Sequence, residues 1–358
     1  MIEIPTDHIR GLVSDEIVEE LAAVSAELVT QLKPEIILFT GSIAAGLTHR
    51  FSDLDLILVT KAGPTRALRN RAGSVSVDVE VLSWEDYCFA VDYLAAYRAS
   101  TKNRDWLKIS PASLKRYTRL VIGLPMYATT EGREAHARID RDVLRRVVMS
   151  GNANSLASLS EDVAGALAGE QPLTSLEAAS LAMRAAMECV LASLDDLYQG
   201  PKFLLERLQR SQLPQALIER LLHLLHPGLD AAEDSEVIEE MVRVATVAND
   251  IALVNGWDRP ARGEDFTSLG SGWDVGGATR EPWYSLIRFG DEFGLAGIDR
   301  GFAVSAVSAR AWSLLGTVPL DRIAQVLAGE TGVGENDAAQ ALSAFVAKMR
   351  QEGIVKIP

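Results

Sequence analysis

The chain has few of the residues that mark several common classes of protein. It contains two cysteines and five histidines among 358 residues, and Cys88 and Cys189 lie far apart, each among apolar neighbours. Such cysteines are typical of buried thiols rather than of a disulfide or a metal site. No apolar run approaches the roughly 20 residues of a membrane-spanning helix, and the stretch Met1–Asp7 lacks a signal-peptide pattern. We therefore expect a cytoplasmic protein with no membrane partner.

Basic residues are in the minority. The chain has 35 lysines and arginines against 49 aspartates and glutamates, which gives a net charge of −14. General nucleic-acid binding needs a basic footprint, so we do not expect it, although a local basic site is compatible with this composition. The hydrophobic share of 48% is ordinary for a globular protein, and the length allows two or three domains.

Residues 36–59 carry the pattern around which the rest of the chain is organised. They open with β-branched and aromatic residues that predict a buried strand, which ends at Gly41 and Ser42. A glycine here lets the backbone turn sharply and lets a phosphate approach closely. A second predicted strand follows and carries Asp53 and Asp55. Because side chains alternate across a strand, both carboxylates point to one face.

Two neighbouring carboxylates repel each other and are costly without a cation between them. Mg²⁺ held by carboxylates and substrate phosphates would remove that cost. The alternative is a solvated strand end. The glycine–serine turn placed before Asp53 and Asp55 favours the metal site.

A third predicted strand supplies further acids. Residues 74–82 alternate cleanly, with Asp78 and Glu80 on one face and valines on the other. A carboxylate on a neighbouring strand would complete a metal site. The alternative is a half-exposed strand whose acidic residues face solvent.

The remainder of the chain predicts two further regions. Helical patterns follow one another from about 134 to 255 and predict a bundle, with a turn at 123–127 leading into it. Lys202 follows a glycine–proline turn and opens a helix, where the helix dipole gives a lysine no benefit. An anion ligand explains this position, and a solvated lysine is the alternative. Residues 286–358 predict short strands, three helices and a closing strand, as in a winged-helix fold.

We therefore predict an α/β fold with a mixed sheet, followed by a helical bundle and a small winged-helix-like α+β domain. The predicted boundaries are 1–125 for the catalytic domain and 126–256 for the bundle. A glycine- and tryptophan-rich linker or lid covers 257–285, and the last domain covers 286–358.

The first region resembles the DNA polymerase β-like nucleotidyltransferase superfamily. The matching residues are Thr40-Gly41-Ser42, Asp53-Leu54-Asp55 and Val77-Asp78-Val79, in the same order and spacing. The resemblance implies that Gly41 and Ser42 hold the nucleotide phosphates and that Asp53 and Asp55 bind Mg²⁺. It further implies that Asp78 activates the acceptor hydroxyl or assists metal binding, with Glu80 as the alternative third acid. The implied chemistry is in-line attack on the α-phosphate of an NTP at a two-metal site.

The two later regions carry weaker resemblances. The bundle is similar to the substrate domain of antibiotic nucleotidyltransferases, and Lys202 matches a lysine that contacts nucleotide phosphates there. Residues 286–358 resemble the PqqD-type peptide-recognition element of ribosomal-peptide maturation enzymes, on the spacing around Trp312 and the closing Gly353-Ile354-Val355. Such elements pair a leader peptide with a sheet edge and pack it against the third helix. A generic winged helix is the alternative.

The sequence thus predicts a Mg²⁺-dependent enzyme that moves NMP from an NTP to an acceptor. A ribosomally made precursor peptide, bound through its leader, is the predicted acceptor. The alternatives are a small-molecule acceptor of the aminoglycoside kind and a non-catalytic scaffold that binds leader peptides. A transferase acting on tRNA fits the acidic charge less well.

Overall fold

The computed structural model describes residues 14–47, 52–62, 68–72, 75–97, 109–270 and 278–357. The chain divides into two compact units. Unit 1 takes its described residues from Met1–Tyr97, Lys108–Leu144 and Leu197–Gly200. Unit 2 takes its described residues from Arg98–Leu107, Arg145–Asp196 and Pro201–Pro358. The four-domain division stays a prediction, and residues 271–277 of the predicted linker lie outside the described residues.

Unit 1 is built on a mixed sheet that has five strands among the described residues, with spatial order β3-β4-β2-β1-β5. The elements in chain order are α1 (Asp15–Leu32), β1 (Ile36–Thr40), α2 (Gly41–Ala44), β2 (Leu54–Thr60), β3 (Leu68–Ala72), β4 (Val75–Ser83), α3 (Trp84–Ala96), α4 (Pro111–Ile122), β5 (Leu124–Ala128) and α5 (Thr130–His136). Strands β2 and β4 run parallel, and the other neighbouring pairs are antiparallel.

The alternation of side chains along β2 and β4 assigns a chemical character to each face of this sheet. The even-numbered residues of β2 from 54 to 58 and the odd-numbered residues of β4 from 77 to 81 pack against the apolar stripe of α1, at Val18, Leu21, Val24 and Leu28. The intervening positions of both strands face the opposite side of the sheet. Burial of the apolar set against α1 therefore directs the acidic residues of β2 and β4 to one common face.

The turn predicted at 123–127 is wrong, because residues 124–128 form strand β5. This strand pairs with β1, and Met126 is fully buried in the core beneath α1. Gly123 and Pro125 are common turn residues, which misled the sequence interpretation. A proline is tolerated here because β5 lies at the end of the sheet and its pairing with β1 is irregular between Ile37 and Leu38.

Unit 2 contains a helical part and a small α+β part, which agrees with the predicted fold class. Its elements are α6 (Arg141–Ala168, in this unit from Arg145 onward), α7 (Pro172–Ser193), α8 (Leu204–Arg210), α9 (Gln215–Leu225), α10 (Ser235–Asn255), β6 (Thr279–Arg280), β7 (Ser285–Phe289), β8 (Glu292–Ala296), β9 (Gly301–Val304), α11 (Ala306–Leu314), α12 (Leu320–Thr331), α13 (Glu335–Gln351) and β10 (Val355–Lys356). Short 3₁₀ turns cover Pro201–Phe203, Leu229–Glu233 and Gly263–Gly270. Strands β7, β8 and β9 form an antiparallel sheet, and β6 pairs with β10. Within the described ranges, no helix has the length and apolar character needed to cross a membrane.

A buried ion pair links the helical and α+β parts of unit 2. Asp250 on α10 lies 2.7 Å from Nη1 of Arg280 on β6, and both side chains are almost completely buried. The backbone N–H of Leu286 donates to Asp250, and Arg280 donates to the carbonyl of Trp312. Burial raises the pKa of Asp250 and lowers the pKa of Arg280, while the attraction between the two charges opposes both shifts.

We expect Asp250→Ala to lower the free energy of unfolding by about 3–5 kcal/mol, because it leaves the Arg280 guanidinium buried without its counter-charge. Urea unfolding of the full chain measures this loss. Glu264→Ala is the matched control, since Glu264 also pairs with an arginine, Arg262, but both of these side chains are 71% exposed. The control should lose no more than about 1 kcal/mol. Equal losses for the two variants would contradict the assignment.

Candidate functional site

The turn after β1 requires glycine at position 41. Gly41 has a φ of +81°, in the left-handed region that other residues avoid. A Cβ built on Gly41 would overlap the carboxylate of Asp55. Ser42 follows in the short helix α2, and its side chain is half-buried. The backbone of the turn therefore passes directly against an acidic side chain of β2.

Strand register sets one hydroxyl and two carboxylates side by side. Thr40 on β1 is opposite Asp55 on β2, and Asp55 is opposite Asp78 on β4. Asp53 precedes β2 and is exposed, while Glu80 lies two residues beyond Asp78 on the same face of the sheet. We call Asp53, Asp55, Asp78 and Glu80 the acidic face.

The charges of the acidic face act on one another. Burial raises the pKa of Asp55, and the neighbouring carboxylates of Asp78 and Asp53 raise it further. Arg119 and Lys115 oppose the shift. Asp53 and Asp78 are thus within electrostatic reach of Asp55, and nearby cations offset part of the repulsion on Asp55.

Arg119 on α4 is the site residue that the sequence interpretation missed. Its Nη2 lies 3.2 Å from Oδ1 of Asp55, and its Nη1 lies 2.6 Å from Oε2 of Glu80. Nε of Arg116 lies 3.3 Å from the other oxygen of Glu80. The hydroxyl of Thr40 donates to the backbone carbonyl of Arg119 at 2.8 Å. The available signal was the spacing of basic residues at 115, 116 and 119, which falls on one side of a helix in an otherwise acidic chain.

The acidic face suits Mg²⁺ by donor type, since this ion prefers carboxylate oxygens. Among the described residues, however, no three metal-ligating side chains gather as a metal-binding group. The guanidinium of Arg119 lies against Asp55 and Glu80. The assignment of Asp53, Asp55 and Asp78 as metal ligands therefore stays a prediction. The donor type of these side chains and the pairing of β2 with β4 are compatible with it.

Lys202 belongs to unit 2, whereas the acidic face belongs to unit 1. It lies in the 3₁₀ turn Pro201–Phe203 and is exposed, with its Nζ 4.8 Å from the centre of the Phe203 ring. A role for Lys202 in nucleotide binding stays a prediction.

We expect Gly41→Ala to lower the free energy of unfolding by about 1–3 kcal/mol, because alanine strains the left-handed backbone and overlaps Asp55. Urea unfolding of the full chain measures the change. Gly165→Ala is the control, since Gly165 lies exposed in α6 and an added Cβ has no atom within 4 Å. The control should gain up to about 1 kcal/mol from its better helix propensity. A Gly41→Ala chain as stable as the control would contradict the close approach of the Gly41 backbone to the Asp55 carboxylate.

The comparisons with known proteins give distant similarities to solved structures. No family model and no curated protein matches the chain. A solved structure described as a nucleotidyltransferase-like protein from Exiguobacterium sibiricum 255-15 is 11% identical and has a TM-score of 0.36. The match covers 66% of this chain and 78% of that chain. At this TM-score the similarity carries no inference about function, which we argue from the site itself.

Proposed function

We propose that the protein transfers a nucleoside monophosphate from an NTP to an acceptor in a Mg²⁺-dependent reaction. The observation that carries this proposal is the placement of a glycine turn against a row of carboxylates, with Gly41 in contact range of Asp55 and Asp55 beside Asp78. A close-approaching backbone suits phosphate oxygens, and adjacent carboxylates suit divalent cations. An NTP bound with Mg²⁺ needs both.

Each residue has a defined role in this proposal. Gly41 and Ser42 would receive the phosphates, and Asp53, Asp55 and Asp78 would hold Mg²⁺, which neutralises phosphate charge when bound. The acceptor oxygen would attack the α-phosphorus, the bond from that phosphorus to the bridging oxygen would break, and pyrophosphate would leave. Asp78 would take the proton of the acceptor hydroxyl.

The proposed acceptor is a precursor peptide held by the α+β part of unit 2. Strand β9 lies at one end of the sheet β7-β8-β9 and pairs with β8 alone among the described strands. Gly301 and Ala303 on β9 are exposed. An edge strand of this kind can receive an extended peptide as an additional strand of the sheet. The three helices α11, α12 and α13 follow this sheet in the order expected for a PqqD-type element.

We expect Asp55→Asn to reduce nucleotidyl transfer at least 100-fold, because the amide keeps the size of the side chain but removes the negative charge that would hold Mg²⁺. The assay follows α-labelled ATP, CTP, GTP and UTP with Mg²⁺ and two acceptor sets, any short peptides encoded beside the gene and a panel of aminoglycosides. Asp92→Asn is the control, because Asp92 is exposed on α3 and pairs with Arg138. The control should transfer label at the wild-type rate. If the wild-type chain transfers label to none of the acceptors, the proposed enzymatic activity is refuted.

We expect Ala303→Lys to weaken binding of the leader peptide about tenfold or more, because a charged side chain on an edge strand disfavours pairing with another strand. Fluorescence anisotropy of the labelled leader with the full chain measures the affinity. The matched control is Ala306→Lys, at an exposed position where α11 begins. Equal affinities of both variants and the wild type for the leader would contradict peptide binding at β9.

A further inference from the structure

Arg119 is held at both ends in the site of unit 1. Its backbone carbonyl accepts a hydrogen bond from Thr40, the residue that precedes the Gly41 turn. Its guanidinium bridges Asp55 and Glu80. The arginine is thus fixed to the turn that would receive phosphates and to a carboxylate that would receive the cation.

Glu80 and Asp55 differ in the positive charge that remains beside them if the guanidinium of Arg119 moves away. Glu80 also pairs with Arg116, so it keeps a cation. Asp55 forms an ion pair with Arg119, and the other charges that act on it are the carboxylates of Asp78 and Asp53 and, most weakly, the ammonium of Lys115. Movement of Arg119 would therefore expose negative charge at Asp55 rather than at Glu80.

The guanidinium also has the means to change partner. An arginine fork binds phosphate oxygens in the same bidentate manner as carboxylate oxygens. The Arg119 side chain is 19% exposed, and those of Asp55 and Glu80 are 31% and 30% exposed. Solvent therefore reaches all three groups, and the guanidinium can leave without stranding a fully buried charge.

We propose that Arg119 exchanges Asp55 for the triphosphate of the nucleotide, and so couples nucleotide binding to metal binding. This inference rests on the proposed function. In the nucleotide-free protein Arg119 competes with a divalent cation for Asp55. When an NTP is bound, the guanidinium pairs with phosphate oxygens and Asp55 becomes available to the cation. Glu80 stays with Arg116.

The coupling predicts opposite effects on two affinities when Arg119 is replaced. We expect Arg119→Met to bind Mn²⁺ about fivefold or more tightly without nucleotide, because the competing guanidinium is gone. We expect the same variant to bind a non-hydrolysable α,β-methylene NTP about tenfold or more weakly with Mg²⁺, because it loses charge-assisted hydrogen bonds to phosphate. Electron paramagnetic resonance measures free Mn²⁺, and calorimetry measures analogue binding.

Two further variants complete the experiment on the full chain. Arg119→Lys keeps the charge but cannot span two acceptors, so both effects should be smaller. Arg138→Lys is the control, since Arg138 pairs with the exposed Asp92, and it should match the wild type in both affinities. Thermal unfolding of each variant establishes that it is folded.

The outcomes separate this inference from the proposed function. Weakening of both affinities by Arg119→Met, or no change in either, would overturn the exchange. Failure of the wild-type chain to bind any α,β-methylene NTP would overturn the proposed function. The Mn²⁺ measurement without nucleotide would in that case still report whether Arg119 competes for Asp55.

Discussion

The repulsion between carboxylates on one face of a sheet is the constraint on which the site of unit 1 depends. Packing of β2 and β4 against α1 buries one set of side chains and leaves Asp55 and Asp78 side by side on the other face. Such a pair needs positive charge nearby. Helix α4 supplies it through Arg119, and the Thr40 hydroxyl fixes the backbone of that arginine at the turn. The charge balance of the site is thus built from three strands and a helix.

Unit 2 manages buried charge in a different way. Asp250 and Arg280 are nearly inaccessible to solvent and are surrounded by hydrogen-bond partners from α10, β7 and α11. An ion pair this deep specifies how the elements meet, because any other arrangement would leave a charge unpaired. The ion pair at Arg119 is partly exposed and can be exchanged at lower cost. Burial therefore separates a structural pair from one that is suited to ligand binding.

The proposed chemistry requires that Mg²⁺ replace the guanidinium of Arg119 as the cation beside Asp55. A guanidinium neutralises Asp55 through hydrogen bonds, whereas a divalent cation coordinates carboxylate and phosphate oxygens directly. The nucleotide itself offers Arg119 an alternative anion. Binding of the two ligands would then be mutually favourable, as thermodynamic linkage requires of any coupled pair.

The sequence by itself determined the local chemistry of this protein. Alternation along β2 and β4 placed the acids on one face, and Gly41 marked the turn, because strand periodicity and glycine conformation are local properties. Strand β5 escaped the sequence interpretation, because Gly123 before it and Pro125 within it are common turn residues, and only the pairing with β1 makes the segment a strand. Arg119 escaped it as well, since 64 residues separate it from Asp55. Only the tertiary structure decides such contacts, because they depend on the packing of a distant helix against the sheet.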